Sequence, residues 1–453
     1  MKKGEIYEAV VDSYEFPNKG IIHMEDTKII VKNTLPGQLI RFRLTKKRHD
    51  KATGLLIDII KKSEIENGNV FCEKFGICGS CLYQSMKYEE QLELKKNLVL
   101  SLINKVDNNY IFDGIKHSPI SYGYRNKMEF TFGDEYKDGP LSLGLHKRGS
   151  FYDIIDASDC KLVNKDYGMI LKEVLNYCTE NNLSHYHRMS HEGYLRHLLI
   201  RRTSKTNELL IDIVTTTTVN HDFSQLVNRL VVLPLEGNIQ GILHTVNDSV
   251  ADTITDQGTT VLYGKDYFYE EILGLKFKIT PFSFFQTNSL GAEVLYETAR
   301  SYIKEYIDNK VIYDLYSGTG TIAQLLAPVA NKVIGVEIIP EAVASAKENA
   351  KLNNIDNCEF IAGDVLKTLD SIDTNPELIV LDPPREGVHP KALDRILDYG
   401  VDNILYISCK PTSLIKDIEI IKNKNYKLER VSIVDMFPWT AHVETIALFS
   451  KIR

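Results

Sequence analysis

The feature that most constrains this chain is the alternation of short apolar strands with amphipathic helices from Pro281 onward. Strand patterns fall at 311–315, 332–337, 359–361, 378–381 and 403–407, with two more at 428–434 and 443–449. Helical periodicity covers 288–306, 319–327, 340–352, 390–397 and 412–421. Such alternation builds a doubly wound sheet, and the last two strands are close enough in sequence to form an antiparallel hairpin. Ligands in such sheets bind outside the carboxyl ends of the strands, so the residues at those ends carry the functional signal.

The first strand runs into Asp314-Leu-Tyr-Ser-Gly-Thr-Gly, and Gly318-Thr-Gly-Thr-Ile-Ala fits G-x-G-x-x-A. A nicotinamide dinucleotide fold therefore has to be weighed, since Glu337 closes the second strand where an acid accepts ribose hydroxyls. Asp314 decides between the two readings. An acid at the strand end suits a cationic, amine-bearing cofactor and repels a pyrophosphate. Asp364, after the third strand, is placed to meet an adenine edge. Together these residues favour S-adenosylmethionine.

The fourth strand ends in Asp382-Pro-Pro-Arg, whose prolines restrict the backbone and leave the aspartate as an acceptor on the active edge. It resembles the Asp/Asn-Pro-Pro-aromatic motif of amino-group methyltransferases, but Arg385 stands in the aromatic position and argues against N-methylation. The fifth strand delivers Cys409, with Pro411 suited to the first helical position. A thiol at a helix start is expected to be biased toward thiolate. A cysteine at a strand end is usually structural, yet beside a methyl-donor loop it reads as a nucleophile. Addition of a thiolate to C6 of a pyrimidine activates C5 for methylation, and a base must then remove the C5 proton. Glu444, entering the last strand, is the candidate base, with His442 as a competitor. Gln286, in Phe282-Ser-Phe-Phe-Gln-Thr-Asn, can reach cofactor and ring edge.

The remaining chain suggests how such a site meets its substrate. Residues 1–62 show four or five short strands and carry 13 lysines and arginines against 8 acids, while residues 282–453 carry 18 against 24. Hence the net charge of −7 conceals a basic N-terminus. A small OB-like barrel with the basic run Arg41 to Lys51 could track a phosphate backbone. Cys72, Cys78 and Cys81 follow C-x5-C-x2-C, and Cys160 is the next cysteine. With no secretory signal evident, metal ligation is favoured over disulfides; an Fe–S cluster, zinc and unliganded thiols all remain open on spacing alone. Cys178 and Cys358 read as structural. A helix is expected near 88–106, followed by hairpins to about Thr280. Tyr124, Arg125 and Lys127 mix aromatic and basic groups as RNA binders do. His185, His187, His191 and His197 read as surface or packing residues rather than ligands. No apolar run spans a membrane, and the cytoplasm is the expected compartment.

Asp382-Pro-Pro-Arg-Glu-Gly, Ile407-Ser-Cys-Lys-Pro, His442-Val-Glu-Thr and Phe285-Gln-Thr-Asn resemble the signature motifs of the RNA uracil-5 methyltransferase family. The N-terminal segment resembles a TRAM domain, and the cysteine set is similar to that of the family's iron–sulfur branch, whose usual substrate is 23S ribosomal RNA. The resemblance covers nearly the whole chain. It implies a class I S-adenosylmethionine-dependent methyltransferase fold over 281–453, a TRAM/OB-like barrel over 1–62, and a β-rich central domain over 63–280 whose helix near 88–106 packs on the catalytic domain. It further implies Cys409 as nucleophile and Glu444 as base. Gln286, Tyr316, Gly318, Glu337, Asp364 and Asp382 are then the cofactor-site candidates, and Cys72, Cys78, Cys81 and Cys160 would hold a [4Fe–4S] cluster. The expected substrate is a uridine in an RNA loop or single strand, because flipping costs least there, and the expected state is a monomer. Alternatives are a transfer RNA uracil-5 or RNA cytosine-5 methyltransferase, a nicotinamide oxidoreductase, and a noncatalytic Fe–S RNA-binding protein.

Overall fold

The computed structural model describes residues 1–452 apart from 151, 305, 307 and 308. Its centre is an eight-stranded sheet ordered Cys358–Ala362, Lys332–Glu337, Val311–Leu315, Leu378–Leu381, Asn403–Ser408, Glu444–Lys451, Tyr426–Val434 and Ile111–Lys116. The first five strands are mutually parallel, and Glu444–Lys451 is antiparallel to both its neighbours, so the C-terminal hairpin is present. Helices cover both faces, and the inner strands are mostly apolar because both of their sides are buried, with Asp314 a buried exception.

Three segments before Pro281 are built into this unit. Ile111–Lys116 pairs in parallel with Tyr426–Val434 and forms the outer edge of the sheet. The hairpin Phe268–Ile272/Leu275–Ile279 contributes Phe268, Ile272, Phe277 and Ile279 to the same apolar core. The helix Tyr88–Ile103 likewise packs its Leu98, Val99 and Ile103 into the cluster on the other face. The helix expected over 288–306 is Ser289–Ile303; residue 305, within that expectation, lies outside the described residues.

Residues Ile6–Val10, Ser13–Glu15, Lys19–Met24, Thr27–Lys32, Leu39–Arg48 and Lys51–Lys61 form one six-stranded sheet. Ile6–Val10 pairs with Leu39–Arg48, while Ser13–Glu15, just past a bend, pairs with Lys19–Met24, so the first stretch of chain closes the sheet on itself. Ile22, Ile29, Val31, Ile40, Phe42 and Leu44 fill its interior. Arg41 and Arg43 alternate with those residues and point outward, and Lys46, Lys47 and Arg48 continue the exposed basic face. A separate seven-stranded sheet, ordered Ile154–Asp156, Leu141–His146, Lys127–Asp134, Leu195–Arg202, Glu208–Thr215, Asn238–Val246 and Thr259–Gly264, is backed by the helices Lys165–Glu180 and Ser224–Val231.

Candidate active site

The glycine loop is set by backbone demands. Tyr316, Gly318 and Gly320 all have positive φ, at 67°, 54° and 75°. At Gly320 a Cβ would also lie 2.6 Å from the Phe360 ring, so only glycine fits there without displacement. The Gly318 N–H donates to Glu337 Oε2 at 3.0 Å, and the Ile339 N–H donates to Oε1 at 3.0 Å. Glu337 thus ties the loop to the next strand while each oxygen keeps a further acceptor site.

Asp314 is fully buried beneath this loop. The Ala323 N–H donates to its Oδ2 at 2.9 Å, whereas the buried Oδ1 has no partner among the described residues. Burial, with Asp382 and Glu337 nearby, pushes its carboxyl up to about 8. Burial likewise pushes Asp382, at the end of the neighbouring strand, up to about 7. A buried acceptor without a donor is costly, and a cationic ligand would relieve it. Asp364 caps the short helix Val365–Thr368 and is exposed beside Tyr316, whose hydroxyl is pushed up to about 12 by burial and then by Asp364 and Asp417.

The pairing of Asn403–Ser408 with Glu444–Lys451 ends at Ser408↔Thr445, and one further step of that antiparallel register sets Cys409 opposite Glu444. Asp382 leaves the adjoining strand at the same edge, next to Ile407 by the parallel register. Glu444 is buried, and its carboxyl is driven far above the ordinary range by burial and by Asp382, with Arg385 opposing. The expected bias of Cys409 toward thiolate is corrected here. Cys409 precedes the N-cap Lys410 of helix Pro411–Asn423, so it is not within the helix, and burial, Glu444 and Asp382 together push its thiol up to about 11. Arg385 is the one neighbouring group whose charge acts the other way.

Tyr296, on helix Ser289–Ile303, was not legible as a site residue. It is buried, beside the Gln286 side chain, and close to Asp382, Glu444 and Asp314. No spacing rule marks it, because its position follows from how that helix crosses the sheet. Asn288, the N-cap of the helix, accepts from the Gly291 N–H and donates to Ser118 Oγ at 3.0 Å and to the Met436 carbonyl at 2.9 Å, fixing Gln286 beside it.

The loop carrying Phe437 to His442 is held from behind. Lys95 donates to Asp435 Oδ1 at 2.7 Å and to the Phe437 carbonyl at 3.1 Å. The Trp439 ring packs against Phe71, Tyr88 and Tyr122, and its Nε1–H donates to the Ser121 carbonyl at 2.7 Å. Tyr124 is buried in the same cluster with its hydroxyl donating to the Pro438 carbonyl. The reading of Tyr124 as an RNA-facing ring is therefore corrected: it is packing. His442 is kept below the usual imidazole range by loss of hydration and by Arg385, Lys95 and Arg125.

Cys72, Cys78, Cys81 and Cys160 line one pocket with Phe75 and Leu145. Burial first, and then Cys160, Cys78 and Cys72, push the Cys81 thiol up to about 12 despite a hydrogen bond from Gln84. Arg148 donates to the Cys81 carbonyl at 2.8 Å, and its buried Nε has no partner among the described residues. Cys81 and Cys160 also touch the cluster around Trp439, so the pocket abuts the loop that leads to Glu444.

This sheet, with an acid-lined glycine loop at its carboxyl edge, has the form of a class I methyltransferase, and the similarity to known proteins makes it an S-adenosylmethionine-dependent methyltransferase of RNA. The tRNA (Uracil-5-)-methyltransferase family model matches residues 255–452. An RNA methyltransferase of Clostridium tetani is 46% identical over 98% of this chain and 98% of its own length. One from Caldanaerobacter subterraneus subsp. tengcongensis is 45% identical over 100% of both. The Pyrococcus abyssi tRNA (uracil-54, C5)-methyltransferase, solved with S-adenosyl-L-homocysteine, superposes with a TM-score of 0.77 at 23% identity, covering 98% of this chain and 100% of its own. The chain belongs to the RNA uracil-5-methyltransferase family. Among the described residues no helix is long and apolar enough to cross a membrane.

Proposed function

We propose that this enzyme methylates C5 of a uridine in 23S ribosomal RNA, with Cys409 as nucleophile and Glu444 as base. The observation that carries the reading is the register that sets Cys409 opposite Glu444, with Asp382 on the adjoining strand. Bound against Asp314 and Asp382, S-adenosylmethionine supplies an electrophilic methyl group and positive charge that favours the ionised form of both carboxylates. Gln286, Tyr316, Gly318, Glu337 and Asp364 complete that pocket.

The thiolate of Cys409, its proton released to solvent, adds to C6 of the flipped uracil, and the ring electrons move toward O4 as an enolate, which makes C5 nucleophilic. Once methylated, C5 also holds a hydrogen. Glu444 takes that proton, the C6–S bond breaks, and the sulfur leaves as thiolate. Arg385 favours the ionised form of both groups and is the positioning charge for the cycle. Glu444→Gln tests the assignment: a denaturant-resistant protein–RNA adduct accumulates, and Cys409→Ser abolishes it. Normal turnover by Glu444→Gln overturns the assignment.

The TRAM-like barrel, with Arg41, Arg43, Lys46, Lys47 and Arg48 on its outer face, is proposed to capture RNA. The four-thiol pocket is proposed to hold a [4Fe–4S] cluster. Among the described residues no three of its sulfurs lie within 4.8 Å of one another. A single tetrahedral zinc ion, with bonds of about 2.3 Å, would draw them to about 3.8 Å. The orphaned Arg148 Nε suits a hydrogen bond to a cluster sulfur. Its contact with the Trp439 cluster supports a role in holding the loop before Glu444. Anaerobic purification is expected to give a brown protein with about four irons per chain; a colourless zinc protein refutes the cluster.

The family model's description supports a second substrate reading, a transfer RNA uridine. Mass mapping of 5-methyluridine in RNA from a deletion strain separates the two, since the mark disappears from 23S ribosomal RNA in one case and from transfer RNA in the other. A cytoplasmic monomer is the working state proposed.

A further inference from the structure

The seven-stranded sheet carries a cavity of about 350 Å³, open to solvent on one side, that the methyl-transfer reading does not use. Asp134, the last residue of Lys127–Asp134, lines it, as do His185 and His187. The chain at 185–187 is extended and pinned: the Tyr186 N–H donates to the Leu195 carbonyl at 2.8 Å, and the His187 N–H to the Glu192 carbonyl at 2.7 Å. In extended backbone, residues two apart face the same side, which puts both imidazoles on the cavity. Their ring centroids are 4.0 Å apart, and His185 Nδ1 lies 3.6 Å from Asp134 Oδ1. One ligand atom from each of the three residues lies within 4.8 Å of the other two.

We infer that Asp134, His185 and His187 form a site for one divalent transition-metal ion, open on its cavity side. Two imidazole nitrogens and a carboxylate oxygen are a donor set that zinc-class ions take readily, and three protein ligands leave a fourth position free. His146, Lys137 and Arg188 line the same cavity, and the buried Nδ1 of His146 has no partner among the described residues. The ion would also clip the segment after helix Lys165–Glu180 to the end of Lys127–Asp134. None of the three ligands offers a sulfur, although Met189 lines the same cavity, so the donor set is chemically distinct from the four-cysteine pocket.

The test is a Co²⁺ titration of cluster-loaded protein. One equivalent should bind with d–d absorption and no sulfur-to-cobalt charge-transfer band. His187→Ala, at an exposed position, and Asp134→Asn should each weaken binding at least tenfold while leaving iron content unchanged. Excess Zn²⁺ should raise the unfolding temperature of the parent protein and not that of His187→Ala. Absence of binding, a sulfur charge-transfer band, or equal binding by the variants overturns the inference.

Discussion

Two groups of buried charge meet where Asp435 and Glu444 flank one loop, and they obey opposite rules. Asp435 is fully buried and pairs with Lys95, itself 1% exposed, at 2.7 Å. Glu444 and Asp314 are buried and Asp382 is half-buried, none of them in a salt bridge among the described residues, and burial drives all three carboxyls upward. A buried pair that satisfies its own charge serves the fold, because breaking it strands an ion in a low-dielectric interior. A cleft of unsatisfied acids instead holds binding energy in reserve for cationic or proton-bearing ligands. The paired aspartate and the unpaired acids are joined by the loop 437–442, so the structural pair positions the chemical one.

The sharpest way to break this contrast is to remove the nucleophile. Cys409→Ser should lower methyl transfer by roughly 10³-fold or more while equilibrium binding of S-adenosylmethionine stays within about twofold, because the thiol is assigned to RNA and not to the cofactor. Comparable losses of binding and rate would merge the two functions. Next in size is Asp435→Ala, expected to cost about 3–5 kcal/mol of stability by stranding Lys95, read by chemical denaturation. Asp382→Asn should leave the ligand-free protein as stable or more so and weaken cofactor binding by roughly tenfold to a hundredfold. Equal destabilisation by the two substitutions would erase the distinction.

The smallest effect is in the pH dependence. Asp382 and Asp314 have folded values of about 7 and 8, above the ordinary carboxylate range, so the unfolded chain releases these protons first. Their contribution to stability is complete below about pH 4 and is lost as pH rises through 7 to 8. The ligand-free protein should therefore lose unfolding temperature over that interval, and Asp382→Asn should flatten the part below about pH 7. Saturating S-adenosylmethionine should flatten it as well. A slope that is the same in all three samples would show that the acids are already ionised without ligand.

The catalytic sheet was legible almost strand by strand, because parallel strands buried on both faces read as continuous apolar runs with capped helices between them. Its outer edge was not: Ile111–Lys116 comes from far upstream of Tyr426–Val434, the strand it pairs with, and its pattern contains no signal of that partner. Cys409 and Glu444 were visible as motif residues, yet their protonation was misjudged from helix position alone, since burial and neighbouring carboxylates outweigh a helix that begins after the thiol. Tyr296 had no local signature. His185 and His187 have no ligand spacing in the sequence, and only the fold brings Asp134 beside them.

By itself the sequence determined the order of strands and helices, the glycine loop, the proline-fixed acid, the cysteine spacing and the membership of a methyltransferase family, all of which follow from local periodicity and short motifs. Only the tertiary structure decided which acids share a cleft, which aspartate owns a lysine, how the four-cysteine pocket meets the loop before Glu444, and where two histidines converge on a carboxylate. Those outcomes depend on distances between residues remote in the chain, and electrostatic energy in a buried site is a property of such distances and of lost hydration rather than of residue type.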